Sequence, residues 1–152
     1  MLRIHSMAPW FHRQSEGAAD NRHFILQKLL VEKHYPGFKC SLRRGILECV
    51  GSIQPSDLSP KYRIRIRCKL NGIPSVRVLE PGIAPKSPIH MYRNGDLCLY
   101  HPGIQPWRKQ ENIHASIIPW TAEWLVFYEL YLSEGKWLGP EIPHGELPST
   151  AN

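Results

Sequence analysis

The sequence predicts an α+β fold with an antiparallel sheet, and three observations support this prediction. An apolar stripe at helical spacing comes first, and four strand-like segments separated by turn residues follow it. A second helical segment comes after a long Pro-rich stretch. We therefore expect an N-terminal helix, a four-stranded antiparallel meander, an extended segment and a C-terminal helix.

Length and composition predict one domain over residues 1–152, with a core at about 20–135 and a C-terminal tail at 136–152. The chain is 42% hydrophobic and contains five Trp and six Tyr, which argues against disorder. No apolar run is long enough to cross a bilayer. Residues 1–11 lack the sustained apolar region and cleavage site of a signal peptide, so a cytoplasmic protein is expected.

The first helix and the hairpin after it are punctuated by turn residues. The helix is predicted to begin with Asp20 as its cap and to end near His34. Its apolar stripe consists of Phe24, Ile25, Leu29 and Leu30. Residues 38–42 and 46–53 then predict a hairpin, with Arg43-Arg44-Gly45 as its turn.

The third strand carries the clearest periodic signal in the chain. Residues 61–70 alternate strictly between a basic residue and Tyr, Ile, Ile, Cys or Leu, which is typical of a half-buried antiparallel strand. Residues 55–60 connect the hairpin to this strand. Asn71-Gly72 is a strong turn signal, and residues 76–79 then predict a short fourth strand.

The basic residues of the third strand predict a charged sheet face. Arg63, Arg65 and Arg67 share one parity in a chain whose net charge is +6. The simplest interpretation is a solvated face, and the alternative is a docking surface for an acidic protein or for phosphate. Because no nucleic-acid-binding motif accompanies these residues, a nucleic-acid partner is not favoured.

Three of the four cysteines are predicted to be small buried hydrophobes in strands, namely Cys40, Cys49 and Cys68. Their wide spacing, in a chain large enough to form its own core, does not support disulfides. No C-x-x-C pair is present, and the histidines at 90, 101, 114 and 144 show no short ligand spacing. We therefore predict no metal and no cofactor.

After Leu79 the regular pattern stops until the last helix. Prolines interrupt the chain at positions 81, 85, 88, 102 and 106. A long irregular segment inside a compact domain is usually functional. Pro119 then predicts the first turn of the C-terminal helix and Gly135 its end. The aromatic residues of that helix are interpreted as a packing surface, and the tail from Trp137 as a loop.

Cys98 lies in this irregular segment, within the run Asn94-Gly95-Asp96-Leu97-Cys98-Leu99-Tyr100. A Gly-containing turn followed by a cysteine suits a thiol presented at the edge of a fold. An ordinary thiol has a pKa of about 8.5, and nearby positive charge would raise its thiolate fraction. Basic and imidazole residues close in sequence are His90, Arg93, His101, Arg108 and Lys109. The alternative is a buried structural thiol.

The element order and the run around Cys98 resemble the ubiquitin-conjugating enzymes. In that family a His-Pro-Asn tripeptide precedes an Asn-Gly-x-Ile-Cys-Leu run, and a Trp follows the cysteine. Here His90, the run Asn94 to Leu99, and Trp107 stand in that order. The resemblance covers about residues 20–135 and implies a ubiquitin-conjugating-enzyme-like fold with Cys98 as the nucleophile of an acyltransferase.

One departure from the family lies beside the cysteine. The tripeptide is His90-Met91-Tyr92, so the family's Asn, which is thought to support attack on the thioester, is absent. Asn94, His90 and His101 are the candidates for supporting catalytic roles. For Asn94 a turn role next to Gly95 is the stronger interpretation, and for His90 a structural hydrogen-bonding role. His144 is a more distant imidazole, and Asp96 is interpreted as solvated.

Such departures resemble the stand-alone conjugating-enzyme-like proteins of bacterial CBASS anti-phage operons, which are encoded beside a cGAS-like nucleotidyltransferase (CD-NTase). The Trp137, Gly139-Pro140 and His144 segment fits this bacterial group better than the eukaryotic one. The resemblance implies that the C-terminus of the nucleotidyltransferase takes the place of ubiquitin on Cys98. The sequence leaves open whether an activating enzyme is needed and whether the protein forms a homodimer.

Three functional classes follow from these observations. The leading one is a thioester-forming conjugating enzyme, and the second is a non-catalytic adaptor of the same fold. The third is a basic nucleic-acid-binding module that uses the third strand. Residues predicted to contact a partner are Tyr100, Trp107, Arg63, Arg65 and Arg67. Trp107 is also expected to pack across the base of the active-site loop.

Overall fold

In the computed structural model the chain forms a helix, a four-stranded sheet and a second helix, which confirms the predicted α+β architecture. The structure describes residues 9–70, 72–100, 107–108 and 110–140, with side chains from residue 21 onward except that of Ser87. The elements are α1 (Pro9–His34), β1 (Lys39–Arg43), β2 (Ile46–Ile53), β3 (Tyr62–Lys69), β4 (Ser75–Glu80) and α2 (Ile117–Glu134). The strands pair antiparallel in the order β1-β2-β3-β4, as a meander.

Helix α1 begins at Pro9, so the prediction that Asp20 caps it is wrong. Proline is favoured at the first position of a helix, and the single Gly17 that follows costs only about 1 kcal/mol. The predicted end at His34 is confirmed.

The apolar stripe predicted for α1 is only partly buried. Phe24 is buried, whereas Ile25 and Leu29 are 49% and 58% exposed. The core-facing side includes the buried polar residue Gln27 instead. Its Oε1 accepts a hydrogen bond from the Ile113 N–H at 2.9 Å, and its Nε2 donates to Asn112 Oδ1 at 2.9 Å. Gln27 therefore ties α1 to the segment that leads into α2.

The alternation predicted for the third strand is confirmed. Tyr62, Ile64, Ile66 and Cys68 face the core, and the basic residues between them face outward. The strand is one residue shorter at each end than predicted. The turn predicted after it is present, because the Gly72 N–H donates to the Lys69 carbonyl at 3.0 Å, although Asn71 itself lies outside the described residues.

A carboxylate on α2 anchors the connection between β2 and β3. Glu129 accepts hydrogen bonds from the Ser59 hydroxyl at 2.8 Å and from the Tyr62 hydroxyl at 3.0 Å. Both donors come from the start of β3 or just before it, so α2 is held against the sheet by polar bonds as well as by apolar packing.

The prediction of free thiols is wrong for two of the four cysteines. Cys40 and Cys49 are joined as a disulfide, while Cys68 and Cys98 are free. The reason is the hairpin register: Arg43 pairs with Ile46, which brings Cys40 directly opposite Cys49 with their Cα atoms 4.0 Å apart. The predicted burial of Cys40, Cys49 and Cys68 is confirmed.

Gly51 allows a close contact between the sheet and Phe38, and this contact can be tested. A Cβ atom at Gly51 would overlap the Phe38 ring. We expect Gly51→Ala to lower the free energy of unfolding by about 1–3 kcal/mol, which is the usual cost of overpacking a core. Urea unfolding followed by circular dichroism measures the change.

Gly37→Ala is the matched control, because a Cβ there has no neighbour within 4 Å. We expect that variant to unfold within about 0.5 kcal/mol of the wild type. Equal stability of Gly51→Ala and the wild type would contradict the contact described.

Candidate active site

Cys98 follows a tight hairpin that is hydrogen-bonded to β4. Within the hairpin the Tyr92 N–H donates to the Asp96 carbonyl at 2.8 Å, and the Gly95 N–H donates to the Tyr92 carbonyl at 3.0 Å. Gly95 has φ 93°, in the region that favours glycine. This pattern matches a three-residue hairpin loop with a left-handed glycine. The predicted turn is confirmed, but Asn94 does not share the positive φ.

An ion pair fixes the hairpin to β4. Arg77 Nε lies 3.0 Å from Asp96 Oδ1, and another guanidinium nitrogen of Arg77 donates to the Asn94 carbonyl. The Leu97 N–H donates to the Val76 carbonyl at 2.8 Å. The interpretation of Asp96 as solvated is therefore wrong, since its side chain is only 16% exposed and is paired.

Asn94 performs the turn role that its position next to Gly95 predicts. Its Oδ1 accepts a hydrogen bond from the Asp96 N–H at 3.0 Å, and its Nδ2 donates to Asp96 Oδ2 at 2.9 Å. Because both polar atoms of the side chain bond to Asp96, Asn94 stabilises the turn and is not directed at the thiol.

His90 connects the Cys98 segment to α2 through its backbone. It has φ 51°, and its carbonyl accepts hydrogen bonds from the Cys98 N–H at 3.0 Å and from Trp124 Nε1 at 3.2 Å. Its ring packs on Trp137, with the two ring centroids 5.2 Å apart. These contacts support the structural role that the sequence favours for His90.

The Cys98 thiol is half-buried and free. Its Sγ lies 3.7 Å from the Tyr100 carbonyl oxygen. Burial raises the pKa of the thiol above its ordinary value, and hydrogen bonds from the Tyr92 side chain and the Tyr100 backbone partly oppose that rise. The direction of this shift is opposite to the one that neighbouring cations would cause.

Tyr92 is a neighbour of the thiol that the sequence pattern did not single out as a candidate. Met91 pairs with Leu97 and both are buried, so Tyr92 and Cys98 lie diagonally on the opposite face of the hairpin. There the Tyr92 side chain lowers the pKa of Cys98 by hydrogen bonding, which offsets part of the effect of burial. The signal was available in the sequence, since alternation on either side of the Asn94-Gly95 turn puts residues 92 and 98 on one face.

The two aromatic candidates near the site have different positions. Tyr100 is half-buried, and its ring centroid lies 5.6 Å from that of Trp120. Trp107 is buried and donates from Nε1 to the Ser116 hydroxyl at 3.2 Å. Trp107 is thus tied to the residue that precedes α2, and its burial leaves little of its ring accessible to the partner predicted for it. His101, Lys109 and His144 lie outside the described residues.

The predicted basic face lies on the outer side of the sheet. Across the strands, Lys39, Val50, Arg65 and Arg77 are paired in one row. Arg67 lies 3.3 Å from Glu48, and Arg63 lies 4.0 Å from Glu80. Because Arg77 also holds Asp96, this face reaches the hairpin that carries Cys98.

Two features are absent from the described part of the chain. Among them, no group of three or more His, Cys, Asp or Glu side chains is arranged to hold a metal ion. None of the described helices is both long enough and apolar enough to span a membrane.

Comparison with known proteins identifies a family. The family model described as Type II CBASS E2 protein matches residues 27–145, which is most of the chain and includes the sheet, the Cys98 hairpin and α2. The curated proteins contain no match.

The raised pKa of Cys98 predicts slow modification at neutral pH. We expect the rate of iodoacetamide alkylation of Cys98 to rise with pH, with a midpoint above the ordinary range of cysteine, roughly 8.5–9. Mass spectrometry of the Cys98 peptide over a pH series measures this rate.

Cys68 is the internal control, because it is a free thiol with 3% exposure and should react more slowly than Cys98 at every pH. A Cys98 midpoint below the ordinary value would show an activated thiol and contradict the described environment.

Proposed function

This chain belongs to the Type II CBASS E2 family, and we propose that it is an acyltransferase whose Cys98 carries the C-terminal carboxyl of a partner protein as a thioester. It then transfers that carboxyl to an amine. Family membership supports a role in CBASS anti-phage defence with an E2-like conjugating function. The observation that carries the proposal is a free, half-exposed thiol held at the edge of the sheet on a doubly anchored hairpin.

The arrangement suits a thiol that must be reached by an extended peptide. The hairpin is bonded to β4 through Arg77 and to α2 through the His90 carbonyl, so the position of Cys98 is fixed from two sides. Neither free thiol belongs to the Cys40–Cys49 disulfide. A fixed, accessible thiol can be acylated with little reorganisation of the protein.

The chemistry proceeds in two balanced steps. The Cys98 thiolate attacks the carbon of an activated carboxyl group, such as an acyl adenylate or another thioester, and the activating group leaves with its bonding electrons. An amine then attacks the thioester carbon, the carbon–sulfur bond breaks, and Sγ recovers the electron pair. The amine loses a proton as the amide forms. Because a free carboxylate does not acylate a thiol, the first step requires that the carboxyl group be activated beforehand.

The basic outer face of the sheet is proposed as the surface that docks the partner. It carries seven basic residues and two carboxylates, namely Lys39, Arg43, Arg63, Arg65, Arg67, Lys69 and Arg77 with Glu48 and Glu80. Arg65 and Arg77 are directly opposite each other. Like charges directly opposite each other destabilise a sheet, so the basic residue at position 65 does not contribute to the stability of the fold through this pair. We infer that this face contacts an acidic region of a CD-NTase partner whose C-terminus reaches Cys98.

A non-catalytic adaptor is the second candidate, and two observations favour it. Burial raises the pKa of Cys98, and the Asn94 side chain is engaged in the turn rather than directed at the thiol. An adaptor would bind the partner through the same face without forming a covalent bond.

Cys98→Ser tests the acyl-transfer proposal. With the partner, its activating enzyme and ATP, we expect the wild type to form an adduct that reducing agents cleave, because a thioester is labile to thiols. The Ser variant is expected to trap a stable oxyester. Non-reducing electrophoresis and intact mass measure both adducts, with Cys98→Ala as the unreactive form.

Cys68→Ser is the matched control, because Cys68 is the other free cysteine and is buried. We expect it to keep the adduct. Full modification or activation of the partner by Cys98→Ala would reject the acyltransferase and support the adaptor.

A separate prediction concerns the basic outer face as the docking surface. Arg65→Glu is expected to weaken partner binding by about tenfold or more and to flatten its salt dependence, because it reverses a charge at the centre of the face. Isothermal titration calorimetry at several salt concentrations measures both effects. Arg22→Glu is the control with the same charge change on the exposed surface of α1.

Unchanged partner affinity in Arg65→Glu would exclude the basic face as the docking surface. Binding of mixed-sequence DNA or RNA that is lost in Arg65→Glu, without any partner binding, would favour the nucleic-acid module instead.

A further inference from the structure

The Cys98 thiol is contacted by a hydroxyl group that the predicted catalytic set does not contain. Within the part of the chain that the structure describes, Tyr92 lies diagonally across the hairpin from Cys98 on the same face, and hydrogen bonding by its side chain opposes the rise in the pKa of the thiol. The other hydrogen-bond partner of the thiol is the Tyr100 backbone, whose carbonyl oxygen lies 3.7 Å from Sγ. The candidates Asn94 and His90 are committed elsewhere, the first to Asp96 and the second to a ring contact with Trp137.

The backbone of Tyr92 is fixed on both sides. Its N–H donates to the Asp96 carbonyl at 2.8 Å, and its carbonyl accepts from the Gly95 N–H at 3.0 Å. The preceding residue, Met91, is buried at 7% exposure and pairs with Leu97. Tyr92 is therefore placed by the same hairpin that places Cys98, and the distance between the two side chains is set by that pairing.

We propose that Tyr92 is a catalytic residue of the Cys98 site, whose hydroxyl donates a hydrogen bond to Sγ and stabilises the thiolate when it attacks and when it is expelled. The proposal deepens the acyl-transfer function and rests on it for the second of these roles.

The hydroxyl acts as a hydrogen-bond donor and not as a proton donor. Burial, reinforced by the neighbouring Cys98, raises the pKa of Tyr92 well above its ordinary value. The proton therefore stays on the Tyr92 oxygen throughout, since the thiol is much the stronger acid of the pair. A neutral donor to a charged sulfur gives a charge-assisted bond, which is stronger than the bond to the neutral thiol. Tyr92 thus favours the charged form of Cys98 selectively.

Tyr92 acts on Sγ in both steps of the proposed reaction. During acylation the thiolate forms its bond to the carboxyl carbon. The hydrogen bond from Tyr92 stabilises that thiolate before the attack. During transfer the carbon–sulfur bond breaks, and the electron pair and negative charge return to Sγ. The Tyr92 hydroxyl stabilises this negative charge. The proton lost by the amine goes to solvent or to the released thiolate, so Tyr92 is unchanged at the end.

Tyr92→Phe is the test, because it removes the hydroxyl and keeps the ring that packs in the hairpin. We expect the pKa of Cys98, measured from the pH profile of iodoacetamide alkylation without any partner, to rise by about one unit. The rate at pH 7 should fall about tenfold, and transfer to an amine should fall by at least as much. Circular dichroism and the unfolding midpoint check that the variant is folded.

Tyr128→Phe is the matched control, since Tyr128 is a half-buried tyrosine whose ring stacks on Trp124 at 5.5 Å. It should leave the alkylation profile of Cys98 unchanged. A folded Tyr92→Phe protein with the wild-type alkylation profile overturns the proposal.

The alkylation profile needs neither partner nor activating enzyme, so it separates this proposal from the proposed function. If Tyr92→Phe raises the pKa of Cys98 but the wild type forms no thioester, Tyr92 tunes the thiol and the acyltransferase is rejected. If the wild type forms the thioester and Tyr92→Phe matches it in both assays, Tyr92 has no catalytic role and the acyltransferase stands.

Discussion

The His90 carbonyl is the constraint on which the site depends. It accepts one hydrogen bond from the Cys98 backbone and a second from the indole of Trp124, which belongs to the buried face of α2. A single acceptor therefore positions the cysteine relative to the C-terminal helix. His90 adopts a left-handed conformation, which is uncommon for a residue other than glycine. Its ring packs on Trp137.

A second set of contacts positions the same cysteine relative to the sheet. The Leu97 N–H bonds to the edge of β4, and Arg77 in the next position bonds to Asp96 and to Asn94. The hairpin is thus held between β4 and α2, and a change in either element would move the thiol. Arg77 also belongs to the basic outer face of the sheet. Through this residue a partner on that face can be coupled to the geometry of Cys98.

The environment of the thiol has two opposite effects on the stability of the thiolate. Burial disfavours the thiolate, whereas the hydrogen bonds of Tyr92 and Tyr100 favour it, and burial is the larger effect. A thiol held mostly protonated is protected from oxidation and from unselective electrophiles. In the proposed reaction, attack depends on an activated carboxyl group delivered close to Sγ, which suits selective acceptance of one protein C-terminus.

Several features of the fold are encoded in local sequence patterns. The alternation in β3, the turn at Gly95, the helix end at Gly135 and the position of Cys98 after a tight turn all follow from periodicity and turn chemistry, and the structure contains them. The long-range contacts that place the site depend on how the elements pack together. Bonds such as Trp124 to His90 and Gln27 to Asn112 join residues 34 and 85 positions apart, and no local pattern specifies them. The Cys40–Cys49 bridge and the Tyr92–Cys98 pair depend on both local patterns and tertiary packing. Each follows from the register of a hairpin whose turn the sequence predicts, but the bond itself exists only once the strands have paired and the side chains have packed.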